Sequence, residues 1–141
     1  MKVKQLSIFL ENRSGRLAEV ATVLGDAGIN MTAFSIAENT DFGILRLIVS
    51  DPDKATHILK ENFFGVNLSD VLCLRCPNTP GALAKALEII KNNGLTIEYM
   101  YAFACGDSAN VIIRPDKLEE CIEVLQAHKL ELLAASDLYQ L

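Results

Sequence analysis

The chain has 141 residues, half of them hydrophobic, with no Trp and a formal net charge of −5. This size suits one ordinary domain or two small ones, and an acidic chain without a basic run argues against nucleic acid, whose phosphates are gripped mainly by Lys and Arg. No apolar run approaches the ~20 residues of a membrane span. The opening "MKVKQLSIFLENRSG" also meets charge and turn residues too early for a signal peptide, so the expectation is a cytoplasmic protein that does not engage membranes.

In chain order, "VKQLSIFL" (3–10) has strand composition, and a polar loop with Ser14 and Gly15 follows. Leu17, Val20, Leu24 and Ala27 then fall at helical spacing, and Gly28 stops that helix. "INMTAFSIAE" reads as a strand, "NTDFG" as a turn and "ILRLIVS" as a second strand. Asp51-Pro52 is an N-cap followed by proline at the first helical position, opening a helix that turns Ala55, Ile58, Leu59 and Phe63 inward. "VNLSD" is a short last strand.

The order then repeats. "VLCLRC" is strand-like, the Pro80-Gly81 turn leads into a helix with Leu83, Leu87 and Ile90, and Gly94 stops it. "LTIEYMYAF" alternates so that Leu95, Ile97, Tyr99, Tyr101 and Phe103 share one face. "ANVIIR" follows as a strand. "RPDKLEECIEVLQAH" reads as a second proline-led helix, with Pro115 matched to Pro52 at an offset of 63, and "LELLAA" closes the unit. The expected fold is α+β: two tandem ferredoxin-like βαββαβ units, 1–70 and 71–141, each an antiparallel sheet in order 4-1-3-2 with both helices on one face. A unit this small leaves its other sheet face and edges uncovered, so a second copy or oligomerisation is expected to cover them.

The repeat is best kept in "NRSGRLAEVATVLGDAGIN" (12–30) and "NTPGALAKALEIIKNNGLT" (78–96). Asn12/Asn78, Gly15/Gly81, Leu17/Leu83, Ala18/Ala84 and Gly28/Gly94 match at a constant offset of 66. What is retained is the turn more than the apolar positions. A glycine entering a helix lets backbone N–H groups approach a guest, and the helix N-terminus favours an anion such as an α-carboxylate. Asn30 and Thr96, just after each helix, could add polar side-chain bonds. Arg16 lies in the first turn, where a cation opposes the helix dipole, and Arg13 is nearby. Two readings stand for this pair: partners for a bound carboxylate or phosphate, or solvated surface arginines. The second copy has Thr79 and Ala82 there, so the two loops need not bind equally well.

Cys73 and Cys76 have C-x-x-C spacing, but on a strand residues three apart point to opposite faces. No second pair completes a zinc set, so buried, reduced structural thiols are expected, with no metal and no cofactor. His57 and His128 have no counterparts in the other copy and read as surface residues.

These residues resemble ACT domains, small regulatory modules that bind amino acids. The family's loop is an acidic or Asn residue, one or two variable positions, Pro-Gly, then a small residue and Leu, with Gly-x-Asn-Ile thirteen residues on. The second copy keeps Asn78, Pro80, Gly81, Leu83 and Gly94 but has Thr96 for the later Asn; the first keeps Asn12, Gly15, Leu17, Gly28 and Asn30 but has Ser14 for Pro. The resemblance covers nearly the whole chain as a tandem pair. It implies a free amino acid held between two such domains, clasped by the loop joining first strand to first helix. Carried over by position, the ligand-binding residues are Asn12, Arg13, Ser14, Gly15, Arg16, Leu17 and Asn30, with Asn78, Thr79, Pro80, Gly81, Ala82, Leu83 and Thr96. It also implies a sensor or regulatory partner, without a catalytic domain, acting as a homo-oligomer (a dimer) or on an enzyme of amino-acid metabolism. Two competing readings are an assembly module whose open sheet is a protein interface, and an acylphosphatase-like hydrolase using Arg13 or Arg16 with Asn30. The hydrolase reading suffers because the second copy lacks the arginine.

Overall fold

A computed structural model describes residues 1–11, 13–38 and 41–141. The element order is β1 (Val3–Glu11), α1 (Arg16–Asp26), β2 (Met31–Glu38), β3 (Phe42–Val49), α2 (Pro52–Glu61), β4 (Gly65–Pro77), α3 (Ala82–Asn92), β5 (Ile97–Cys105), β6 (Ser108–Pro115), α4 (Leu118–Ala127), β7 (Glu131–Leu132) and α5 (Ala135–Tyr139). Two compact units result. The N-terminal unit is Lys4–Ser69 with Ser136–Leu141, and the C-terminal unit is Asp70–Ala135 with Met1–Val3. Each chain end therefore belongs to the unit opposite in sequence.

Within the N-terminal unit the strand order is β4-β1-β3-β2, and within the C-terminal unit it is β7-β4-β6-β5. Both are the 4-1-3-2 order of a βαββαβ unit. The pairings β1–β3, β2–β3, β4–β6, β4–β7 and β5–β6 are all antiparallel. The two expected strands "VNLSD" and "VLCLRC" are one strand, β4, so the last strand of the first unit runs without a turn into the first strand of the second.

One face of each sheet carries the core. In the N-terminal unit Leu6, Ile8 and Leu10 of β1 and Leu45, Leu47 and Val49 of β3 pack with Val20, Leu24, Ala55 and Leu59 of the two helices. In the C-terminal unit Leu72, Leu74, Val111 and Ile113 pack with Ala86, Ile90, Cys121 and Leu125. The period of 2 on strands and 3.6 on helices turns these residues inward. Leu17 and Phe63, which the spacing turned inward, point out instead, at 46% and 93% exposure.

The backbone repeat is stricter than the sequence suggests. α1 and α3, β3 and β6, and α2 and α4 all begin 66 residues apart. The proline match at an offset of 63 is therefore not structural. Pro115 ends strand β6 opposite Ile97, and α4 begins at Leu118 behind Lys117. Only α2 has the expected cap, with the Asp51 side chain accepting the Lys54 N–H at 3.2 Å and Pro52 at the helix start. The proline-led pattern misled because Asp116 is engaged elsewhere, its carboxylate accepting the Thr96 N–H at 3.0 Å. Ser50 does the same for Asn30 at 2.9 Å.

A bulge is also written twice. Register shifts between Met31 and Ala33 and between Ile97 and Tyr99. Residues opposite each other on paired strands share a face. Ile97 thus packs with the helices, whereas Tyr101 lies opposite Ile112 on the other face. The expected single face from Leu95 to Phe103 is split at the bulge, because one extra residue reverses the alternation. "LELLAA" likewise yields only the two residues of β7 before α5, whose Leu138 is fully buried and whose Tyr139 hydroxyl accepts the Lys4 N–H at 2.7 Å.

Candidate ligand-binding site

Both first helices start from a glycine in the left-handed region, Gly15 at φ 88° and Gly81 at φ 86°. An L side chain is disfavoured there, which explains why glycine is kept in both copies. A glycine N-cap has no side-chain oxygen to offer the first-turn amides. A Cβ built on either glycine meets nothing within 4 Å, so the approach to each helix start is open.

In the N-terminal unit two grooves adjoin this start: one of about 390 Å³ that Gly15 lines with Ala18, Glu19, Thr22, Val23, Asn62 and Phe64, and a smaller cradle of about 120 Å³ lined by Leu10, Glu11, Arg13, Arg16, Leu17, Ile36 and Gly43. Arg13 is largely exposed, with its Nε 3.6 Å from Glu11 Oε2. Arg16 is not a solvated surface arginine. Its side chain is 11% exposed, Nη1 lies 2.7 Å from Glu19 Oε2, and the guanidinium stacks 4.2 Å from the Phe64 ring centroid. Pairing and stacking offset the unfavourable position at the helix start. Asn12 lies outside the described residues, and Ser14 is exposed beside the glycine.

In the C-terminal unit the cradle that Gly81 lines is about 240 Å³ and is formed by residues 74–77, 79–82, Lys85, Ala86 and Leu130. Thr79, Pro80, Gly81 and Ala82 all line it; Asn78 precedes them, its N–H bonded to the Asp107 carbonyl at 2.8 Å, and Leu83 packs against the core. Lys85, which the loop pattern does not single out, is a cation in the lining where the first copy has Glu19. It was detectable only by following the repeat one helical turn past the motif.

Asn30 and Thr96 are not brought to these cradles within their own units. Each follows an 11-residue helix, so it sits roughly 16 Å along the axis from the helix start at 1.5 Å per residue. Their backbones are pinned from both sides, the N–H to Ser50 or Asp116 and the carbonyl accepting the N–H of the same residue at 3.0 and 2.9 Å. Nor is Asn30 near Arg13 or Arg16 within the unit, so the acylphosphatase-like pair is not assembled there. Cys73 and Cys76 are buried and face opposite sides of β4; burial pushes the Cys73 thiol up to about 12. Among the described residues no group of His, Cys, Asp and Glu could hold a metal ion, and no helix is long and apolar enough to cross a membrane.

Two βαββαβ units, each with a left-handed glycine before its first helix, define a tandem pair of small α+β modules. A family model described as an ACT domain pair matches residues 1–141, and the chain belongs to that family. It is similar to protein BT0572 from Bacteroides thetaiotaomicron, at 61% identity and a TM-score of 0.97, covering 100% of this chain and 98% of that one. The ligand-free regulatory subunit of aspartate kinase from Thermus thermophilus matches with a TM-score of 0.64 at 16% identity, covering 88% and 90%. Aspartokinase III of E. coli, in complex with lysine and aspartate, matches with 0.52 at 15%, covering 89% of this chain and 30% of that one. At such identities these last two show a shared fold. No curated protein matches the sequence.

Proposed function

We propose that the chain is an amino-acid-binding regulatory protein, made of two modules, 1–70 and 71–141, and without catalysis of its own. The observation that carries this reading is the pair of left-handed glycine cradles, both open to an approaching group and both at a helix start that favours a carboxylate. Asn12 to Leu17 and Asn78 to Leu83 clasp the backbone groups of the ligand. Asn30 and Thr96, at the far ends of their helices, contribute when another module brings them over a cradle. A ligand that binds one arrangement of modules better than another shifts the population toward it. The output is a change of assembly, in a cytoplasmic homo-oligomer or on an enzyme of amino-acid metabolism. Membership of the ACT domain pair family over the full chain supports the reading. So does the shared fold with an aspartokinase whose structure holds lysine and aspartate.

The test is a thermal-shift screen against the twenty amino acids, followed by calorimetry. Ligand at a hundredfold excess over Kd adds about 2.7 kcal/mol of stability. A selective shift is the expected result. No shift with any amino acid would refute the reading and favour a pure assembly module.

A further inference from the structure

Beside the N-terminal cradle lies another groove, of about 330 Å³, in the size range of small-molecule sites. Phe9, Phe42 and Phe63 line it, and Glu11 and Arg16 line both it and the cradle. Phe9 and Phe42 meet edge to face, with centroids 6.1 Å apart, and Phe64 lies under the Arg16 guanidinium. Four of the six phenylalanines in the chain are thus gathered around one arginine. The three lining rings are 44%, 39% and 93% exposed. Phe63 is also held at φ 66°, a conformation that bulky residues rarely adopt.

The frame itself does not require these rings. At the offset of 66, Phe9, Phe42, Phe63 and Phe64 become Arg75, Ser108, Lys129 and Leu130, and the C-terminal unit forms the same strands and the same left-handed turn, with Lys129 at φ 59°. Packing of the repeat therefore leaves the aromatic character of the N-terminal groove unexplained.

We infer that this groove takes the side chain of an aromatic amino acid whose charged head is held in the adjoining cradle. The inference rests on the amino-acid reading above. Charge complementarity matches a zwitterion: Glu11 offers a carboxylate to the ammonium group and Arg13 a cation to the carboxylate. The rings supply offset and edge-to-face contacts that an aliphatic side chain cannot return. A charged side chain would lose hydration against these rings.

The experiment is calorimetry on the full chain with L-Phe, L-Trp, L-Leu, L-Asp and L-Lys, and with phenylacetate and phenethylamine as ligands lacking one half of the head. The variant is Phe63→Gly, which removes an exposed ring and suits the left-handed backbone. Expected are at least tenfold tighter binding of L-Phe or L-Trp than of L-Leu, tenfold losses for both head-group deletions, and a tenfold loss in Phe63→Gly with its melting temperature retained. Tightest binding of a non-aromatic amino acid, or unchanged aromatic binding in Phe63→Gly, would overturn the inference and leave the amino-acid reading standing. Failure of all twenty amino acids to bind would overturn both.

Discussion

Replacing the cradle glycines separates what the backbone requires from what a ligand requires. Gly81 sits at φ 86°, and a Cβ there would meet nothing within 4 Å. With no clash, the cost of Gly81→Ala in the folded state is the left-handed penalty of about 1–2 kcal/mol. Lower freedom of the unfolded chain returns roughly 0.4–1 kcal/mol. The net loss is about 1 kcal/mol, or roughly 4–8 °C for a domain of 60–100 residues. Asn tolerates the left-handed region better, so Gly81→Asn loses less. Binding runs the other way, because Asn fills more of the open approach than Ala does. The expected order is Gly, Asn, Ala for stability and Gly, Ala, Asn for affinity, with Gly15 behaving alike at φ 88°. Urea unfolding gives the first order and calorimetry with the screened amino acid the second. A Gly81→Asn variant that binds as the wild type does would show that this loop is not the site. A larger stability loss in Asn than in Ala would show that φ is not the source of the cost.

The capping asymmetry gives another test. Asp51→Ala removes the cap of α2 and costs about 1 kcal/mol. Lys117, at the matching position with φ −128° and ψ 87°, supplies no cap to α4, so Lys117→Ser should add about 1 kcal/mol by urea unfolding. The thiols give a third. Cys105 is exposed while Cys73 and Cys121 are buried, so thiol labelling near pH 8 should mark Cys105 first and reach the others on unfolding. Burial raises Cys73 to about 12 and Cys121 to about 11 from an ordinary 9.0. The unfolded chain then loses these protons first, so this stability is intact below pH 9 and is lost as pH rises toward 11–12, which alkaline unfolding curves would reveal.

Most of the fold was legible because its signals are local. Gly15, Gly28, Gly81 and Gly94 all have positive φ, as turn glycines should, and the Asp51-Pro52 start is a cap in fact. What was misread has one physical source: a local motif cannot show which distant group claims a residue. Asp116 looks like a helix opener beside Pro115, yet its carboxylate serves the Thr96 amide. Phe63 continues a helical stripe, yet it follows the end of α2 and turns outward. The bulges at 31–33 and 97–99 reverse a face without a Gly or Pro to announce them. Among the residues that line the candidate cradles, Arg13, Arg16, Leu17, Thr79, Pro80, Gly81 and Ala82 belong to the loops the sequence singles out. Lys85, Ile36, Gly43 and the aromatic groove were not legible, because they reach the loops only through helix and sheet geometry.

The symmetry of the backbone sharpens the meaning of the side chains. An offset of 66 holds for both helices, the hairpins, the bulges and the left-handed glycines, so whatever differs at matched positions is not demanded by the frame. The two cradles differ in this way although their glycines are kept. Arg13, Arg16 and Glu19 correspond to Thr79, Ala82 and Lys85, and four phenylalanines correspond to Arg75, Ser108, Lys129 and Leu130. Unlike residues beside two open helix starts fit one frame carrying two sites of unlike chemistry, the first amphipathic and aromatic, the second smaller-residued and basic. A single ligand should therefore fill the two cradles with different affinities, and calorimetry on the full chain should resolve two unequal steps or one site per chain. Two equal sites would mean that binding depends on the shared backbone and not on the residues that separate the copies.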